Sequence, residues 1–239
     1  AIWLLYPLSV RVGLVDIPRG RKQHQGAVPL IGGIATYIGL VCALLLADSS
    51  IQPLYYLACT GVIVLLGVFD DYLDLSVKLR LAVQTLVGLA MTYSLNLHLA
   101  SLGNLFGLGV VELGVFGLPV TLLAVIAAIN AFNMTDGIDG LAGMLSLVSF
   151  VSIAIFMALW GQQHYAALAL LLALAMLPYL ACNLNFIPGR RIFMGDAGSM
   201  LIGLSVIWLL IIGTQSESAS FRPVTALWIL AIPLMDMIA

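Results

Sequence analysis

The chain has 239 residues, of which 62% are hydrophobic and 8% charged, with a mean hydropathy of +1.14; soluble domains carry roughly 25% charged residues, so a water-soluble fold is excluded. Nine Lys/Arg against eleven Asp/Glu leave a net charge of −2, with neither the basic footprint of a nucleic-acid binder nor an acidic tail, and no nucleic-acid partner is expected. Cys42, Cys59 and Cys182 sit in apolar runs without paired spacing or a neighbouring histidine, which reads as small buried hydrophobes rather than redox or zinc chemistry.

Apolar stretches near membrane-spanning length follow one another at 2–9, 30–47, 54–69, 80–97, 116–133, 141–160, 165–184, 198–213 and 224–239. The first lacks the basic segment and cleavage site of a signal peptide and reads as the tail of a span; the last stops inside an apolar run. The expectation is an all-α, polytopic transmembrane helix bundle with eight spans and a partial first span, truncated at both ends. No repeat, low-complexity tract or linker interrupts it, so residues 1–239 are read as a single integral membrane domain. Pro178 and Pro233 fall within spans, where neighbouring helices must satisfy the carbonyls they free.

Counting crossings places Arg11, Arg19, Arg21, Lys22, Lys78, Arg80, Arg190 and Arg191 on one side and Arg222 alone on the other. The positive-inside rule makes the first side cytosolic. The same parity puts Asp70, Asp71, Asp74, Asp136, Asp139 and Asp196 there, with Asp236 close to it, whereas Asp48, Glu112, Glu217, His98 and His164 fall outside. Scattered solubilising charges have no reason to converge in this way.

Four polar segments interrupt the spans on the cytosolic side. RGRKQHQGAVPLIGG supplies topogenic arginines and, just before a Pro/Gly turn, Lys22 and His24 as candidates for phosphate contact. Asp70-Asp71 closes an apolar run ahead of Lys78 and Arg80; adjacent carboxylates repel, so a metal, a lysine or a proton must relieve them unless the pair is only a solvated helix end. NAFNMTDGIDGLAG spaces Asn130, Asn133, Asp136 and Asp139 by three, as on one helical face or tight turn, and its oxygen ligands suit Mg²⁺ shared with substrate phosphates. In RRIFMGDAGSMLIG, Asp196 precedes an apolar helix as an N-cap, a metal ligand or both, and Gly195 and Gly198 would let backbone N–H groups face a phosphate.

No G-x-S-x-G elbow, P-loop, dinucleotide fingerprint or cysteine–histidine pair is present, leaving acyl transfer and nicotinamide redox chemistry unsupported. Carboxylates, amides, glycines and bases at a membrane surface suit phosphoryl transfer, which rests on positioning and charge neutralisation. An ion-coupled transporter is the non-enzyme alternative. Its sites would lie near the bilayer midplane within repeats, and here the acids cluster at span ends.

DDYLD, NAFNMTDGIDGLAG and FMGDAGS, in this order on one side of a polytopic chain, resemble the polyprenyl-phosphate N-acetylhexosamine-1-phosphate transferases, and the similarity runs through nearly the whole chain. The resemblance is strongest to members that transfer GlcNAc-1-phosphate from UDP-GlcNAc to undecaprenyl phosphate, giving undecaprenyl-diphospho-GlcNAc and UMP at the first lipid-linked step of O-antigen or enterobacterial-common-antigen synthesis. It implies membrane lipid as a partner, a bacterial inner-membrane location with a cytosolic site, and room for a homodimer. Use of UDP-MurNAc-pentapeptide is the alternative, although the KxGTPTMGG-like segment of that branch is missing. The resemblance further implies Mg²⁺, with Mn²⁺ as substitute, held by Asp196 with Asn133 in the same region. Asp70 and Asp71 would hold metal or take the proton of the lipid phosphate, and Asp136 and Asp139 would complete the catalytic set. Lys78 or Arg80 would meet phosphate, Phe193 would pack on uracil, and Asn183 would donate nearby. A further cytosolic loop rich in histidine and arginine, which relatives carry after the last helix, is expected to supply donor contacts.

Overall fold

Within hydrocarbon a chain must satisfy its backbone polar groups internally, and a run of apolar residues does so as a helix. The computed structural model describes residues 1–17, 26–46, 51–105, 107, 109–216 and 219–239. Lys22 and His24, and likewise Asp48 and Glu217, lie outside the described residues. Each apolar run becomes one helix: α1 (Ile2–Val12), α2 (Gly32–Leu46), α3 (Ile51–Leu73), α4 (Val77–Leu95), α5 (Gly117–Thr135), α6 (Leu141–Leu159), α7 (Gln163–Asn183), α8 (Gly195–Gln215) and α9 (Pro223–Ile238). Two residue pairs, β1 (Val15–Asp16) and β2 (Val28–Pro29), form a short antiparallel clip. Pro178 and Pro233 lie inside α7 and α9, as expected, and Pro7 lies inside α1.

At the charged ends of three helices the backbone runs past the hydropathy boundary. α3 continues through Asp70 and Asp71 to Leu73, α4 already contains Lys78 and Arg80, and α8 starts early enough to include Asp196. Hydropathy falls at the first charge, whereas the backbone ladder continues until a cap stops it. For α4 that start is Ser76, whose hydroxyl accepts the Leu79 N–H at 3.4 Å.

The chain is a polytopic, all-α membrane protein, and among the described residues five helical segments are long and apolar enough to cross a membrane: Leu54–Leu73, Gly114–Thr135, Leu141–Leu159, Gln163–Asn183 and Gly195–Gln215. α1, α2 and α9 are apolar but shorter. α4 is less apolar because it carries Lys78, Arg80 and Gln84.

α8 is the axis. Its apolar stretch is entirely buried inside the protein, against α3 and α5 on two sides and α2 and α6 on others. Such close approach requires small residues at the crossings. A Cβ on Gly33 of α2 would fall 2.2 Å from the Gly198 nitrogen, so this contact tolerates only glycine. Deeper in the bundle Trp208 meets Tyr56 edge to face at 5.2 Å, and the Tyr56 hydroxyl is satisfied by Ser205 at 2.7 Å. Cys59 and Cys182 are buried as expected; Cys42 is exposed on α2, where an outward-facing small residue meets lipid as readily as protein.

Connectivity sorts the polar segments to two ends. Asp70, Asp71, Arg80, Asp136, Asn183 and Asp196 all lie at helix termini sharing one end of the bundle. At the other, Gln215 straps the α4–α5 connection by accepting the Ala100 N–H at 3.0 Å and donating to the Ser101 carbonyl at 3.2 Å.

Candidate functional site

The two adjacent carboxylates at the end of α3 diverge. Asp70 is buried; its Oδ2 meets Arg80 Nη1 at 2.7 Å and its Oδ1 accepts the Leu75 N–H at 2.9 Å. Asp71 turns the other way, to α8, where Oδ1 accepts the Asp196 N–H at 3.0 Å and Oδ2 the Ala197 N–H at 3.4 Å. Their repulsion is thus relieved by an arginine and a helix terminus. Lys78 is exposed and forms no ion pair among the described residues.

The evenly spaced residues of the second motif fan out, because α5 ends among them. Asn130 donates to Gln84 of α4 at 2.8 Å, while Asn133 donates to Asp196 Oδ1 at 2.8 Å and to Ser199 Oγ at 3.0 Å. Asp136 is the C-cap residue of α5, its own N–H returning to the Asn133 carbonyl, and its carboxyl feels the nearby Gly195 N–H. Asp139 lies beyond the helix, exposed, and is ion-paired with Arg191.

In the third motif Met194 is the N-cap residue of α8 and Asp196 lies in its first turn, so Asp196 does not cap its own helix. The N–H groups of residues 196 and 197 are taken by Asp71. This corrects the expectation that glycines there present N–H groups to a phosphate. Gly198 instead meets Gly33 across the α2–α8 crossing.

Residues 29–33 run alongside residues 193–194. Phe193 N–H reaches the Pro29 carbonyl at 2.9 Å, Gly32 N–H the Phe193 carbonyl at 2.9 Å and Gly33 N–H the Met194 carbonyl at 3.0 Å, which brings the Pro/Gly turn against the third motif. The half-buried Phe193 ring has the Arg191 guanidinium carbon 5.4 Å from its centroid. Arg190 stacks on Trp3 at 4.5 Å and Tyr6 at 5.0 Å, pinning α1 to this end. Asn183 is buried and committed to backbone: Oδ1 accepts the Gly140 N–H at 2.6 Å and Nδ2 donates to the Ile192 carbonyl at 2.9 Å. Its geometry is that of a staple between two turns, different from the base-contacting donor expected of it. Asp236 is exposed near the end of α9.

Negative charge accumulates. The carboxyls of Asp70 and Asp196 interact directly, with Arg80 acting on both. Burial, and then the nearby Asp196, Asp71 and Asp139 carboxylates, holds the Asp136 carboxyl well above the usual carboxylate range, against the opposing pull of the Gly195 N–H. Among the described residues no three Asp, Glu, His or Cys side chains form a ready-made metal cage. The donor set fits a hard cation bound by one or two carboxylates and completed by substrate phosphates and water, the habit of Mg²⁺ rather than of zinc. Asp196, oriented by the Asn133 amide, is the residue present that best meets this requirement.

The sequence reading missed Ser199, whose hydroxyl anchors the other side of Asn133, and the Gln84–Asn130 clasp between α4 and α5. Ser199 stands three residues after Asp196, on the same helix face, and that spacing is a signal only once α8 is known to begin at Gly195.

A family model described as glycosyl transferase family 4 matches residues 53–214. The chain is 50% identical over 240 residues to the undecaprenyl-phosphate alpha-N-acetylglucosaminyl 1-phosphate transferase of Salmonella typhi, covering 100% of this chain and 65% of that protein. It is 51% identical over 236 residues to the protein of the same description from Escherichia coli strain K12, with 97% and 64% covered. The counterpart from Haemophilus influenzae strain Rd is 45% identical over 239 residues, with 99% and 67% covered. The chain thus spans about 65% of the length of these curated relatives.

Proposed function

The chain belongs to glycosyl transferase family 4, and on that premise we propose that it transfers GlcNAc-1-phosphate from UDP-GlcNAc to undecaprenyl phosphate, releasing UMP. The observation that carries this reading is the acidic cluster of Asp70, Asp71, Asp136 and Asp196 at one end of an apolar bundle, where Arg80 is the one cation paired with any of the four among the described residues. Buried like charges of this kind call for a cation and a polyanionic substrate to accompany it. The names of the relatives supply the substrate classes.

An oxygen of the lipid phosphate attacks the β-phosphorus of the donor. A new phosphorus–oxygen bond forms, the bond from the β-phosphorus to the bridging oxygen breaks, and its electron pair leaves on UMP. Mg²⁺, or Mn²⁺ in its place, would neutralise charge on the diphosphate and on the departing UMP. Asp196 would hold it, kept in orientation by Asn133, with Asp70 alongside. Asp136, its carboxyl held protonated more readily than usual by burial, is suited to exchanging a proton with the attacking phosphate. Arg191 and the Phe193 ring offer a cationic and aromatic ledge for a uridine group, and the exposed Lys78 a point charge for phosphate. The parity of basic residues supports the cytosolic face of a bacterial inner membrane. The product is the class of lipid-linked sugar on which surface polysaccharide is extended.

The test is UMP release by the complete protein in detergent with Mg²⁺, undecaprenyl phosphate and a panel of UDP-sugars. UMP formation dependent on lipid phosphate with UDP-GlcNAc is the expected result. Turnover only with UDP-MurNAc-pentapeptide would reassign the donor, and none with any donor would overturn the reading.

A further inference from the structure

We propose that Asp71 is a positioning residue that caps α8 from the neighbouring helix and so sets the Asp196 carboxylate, rather than a group that takes a proton from substrate. The inference rests on the transferase reading above and deepens it. The first N–H groups of any helix lack partners within it, and a Ser, Thr, Asp or Asn at the N-cap position commonly supplies one. α8 has Met194 there, with no side-chain oxygen to offer. Asp71 fills the role across space, with one oxygen on the Asp196 N–H at 3.0 Å and the other on the Ala197 N–H at 3.4 Å. Its negative charge also faces the positive end of the helix dipole.

Two further features are built around this contact. Gly195 has a φ of +71°, and a Cβ there would fall 2.6 Å from Asp71 Oδ2, so a side chain at 195 would strain the backbone and expel the carboxylate. On the Asp71 face of α3, one turn earlier, a Cβ on Gly67 would fall 2.3 Å from the Ala197 Cα. Gly67 and Asp71 therefore lock the start of α8 against α3 over a full turn. Asp71 directs both oxygens at backbone, while the Asp196 side chain turns to Asn133 and Asp70. A helix N-terminus that would otherwise attract a phosphate is filled by the protein's own carboxylates.

Asparagine separates the alternatives, because its single amide oxygen can still accept the Asp196 N–H and gives up only the longer contact to Ala197, while it cannot act as a general base. Asp71→Asn and Asp71→Ala are made in the complete protein, and both UMP release across pH and the melting temperature of the metal-free protein are measured. If Asp71 is a cap, Asp71→Asn keeps one of the two contacts, melts between the parent and Asp71→Ala, and keeps turnover within about tenfold, with an unshifted pH profile. Asp71→Ala melts lower and loses more than about a hundredfold. A loss in Asp71→Asn as large as in Asp71→Ala, on the scale of about 10²–10⁴ expected for a general base, with its melting temperature unchanged, would overturn the proposal. So would an Asp71→Ala protein that melts like the parent. The melting arm needs neither metal nor substrate, so it decides the cap even if the parent protein releases no UMP and the transferase reading itself fails.

Discussion

Arg80 distinguishes a structural ion pair from a substrate contact. Its guanidinium lies 2.7 Å from Asp70, whose side chain is 2% exposed while that of Arg80 is 24% exposed. Removing one partner of a buried pair costs about 3–5 kcal/mol, because the other charge is left uncompensated. Here the Leu75 N–H remains on Asp70 at 2.9 Å, and water can follow the path that Arg80 leaves, so about 2 kcal/mol is the appropriate scale. For a chain of this size that is about 4–8 °C of melting temperature. Cys59 and Cys182 are buried and Cys42 exposed. A thiol-reactive fluorogenic dye therefore reports unfolding directly in a Cys42→Ala background. Arg80→Ala should melt lower by that amount, and Asp70→Asn/Arg80→Ala should recover much of the loss, since no bare carboxylate remains. An Arg80→Ala protein that melts like its parent, or a double variant no more stable than the single one, would refute the ion-pair argument and return Arg80 to the role of a phosphate ligand.

Asp196→Asn should leave the protein inserted and folded while lowering turnover by about two orders of magnitude, the scale of losing one major electrostatic stabiliser; near-normal turnover at limiting Mg²⁺ would remove Asp196 from the metal site. Single cysteines at the exposed positions Ser76 and Asn104, in a background lacking the native three, should label from opposite faces of intact cells, and labelling of both from outside would overturn the assigned orientation. The raised Asp136 carboxyl means that the folded, metal-free protein binds this proton more tightly than the unfolded chain. Its contribution to stability is therefore greatest below the ordinary carboxylate range and is lost as pH rises from there toward the folded value. Metal-free protein should melt at a higher temperature at pH 5 than at pH 8, and Asp136→Asn should flatten that dependence; an unchanged slope in the variant would assign the effect to other groups.

The helices among the described residues were legible because hydrocarbon admits few alternatives: an apolar run within it has to be helical, whatever surrounds it. The convergence of Asp70, Asp71, Asp136 and Asp196 was legible from parity, since each crossing reverses the side on which the next loop emerges. The partners of those residues were not. Spacing alone put Asn130, Asn133, Asp136 and Asp139 on one helical face or in one tight turn, and α5 ends at Thr135, so the first two project from a helix to different neighbours and the last two leave it. Asn183 looked like a free donor near the third motif, and burial commits both ends of its amide to backbone.

Sequence by itself thus determined the class of protein, the helical runs among the described residues and the end at which the polar residues gather, all of which follow from local composition and from counting. Only the tertiary structure decided that Asp70 pairs with Arg80, that Asp71 caps α8, and that Gly198 meets Gly33 at a helix crossing rather than a phosphate. The physical reason is that hydrophobicity acts on each residue independently of direction, whereas a hydrogen bond or a backbone contact depends on which neighbour the packing of α8 against α2, α3 and α5 brings within about 3 Å.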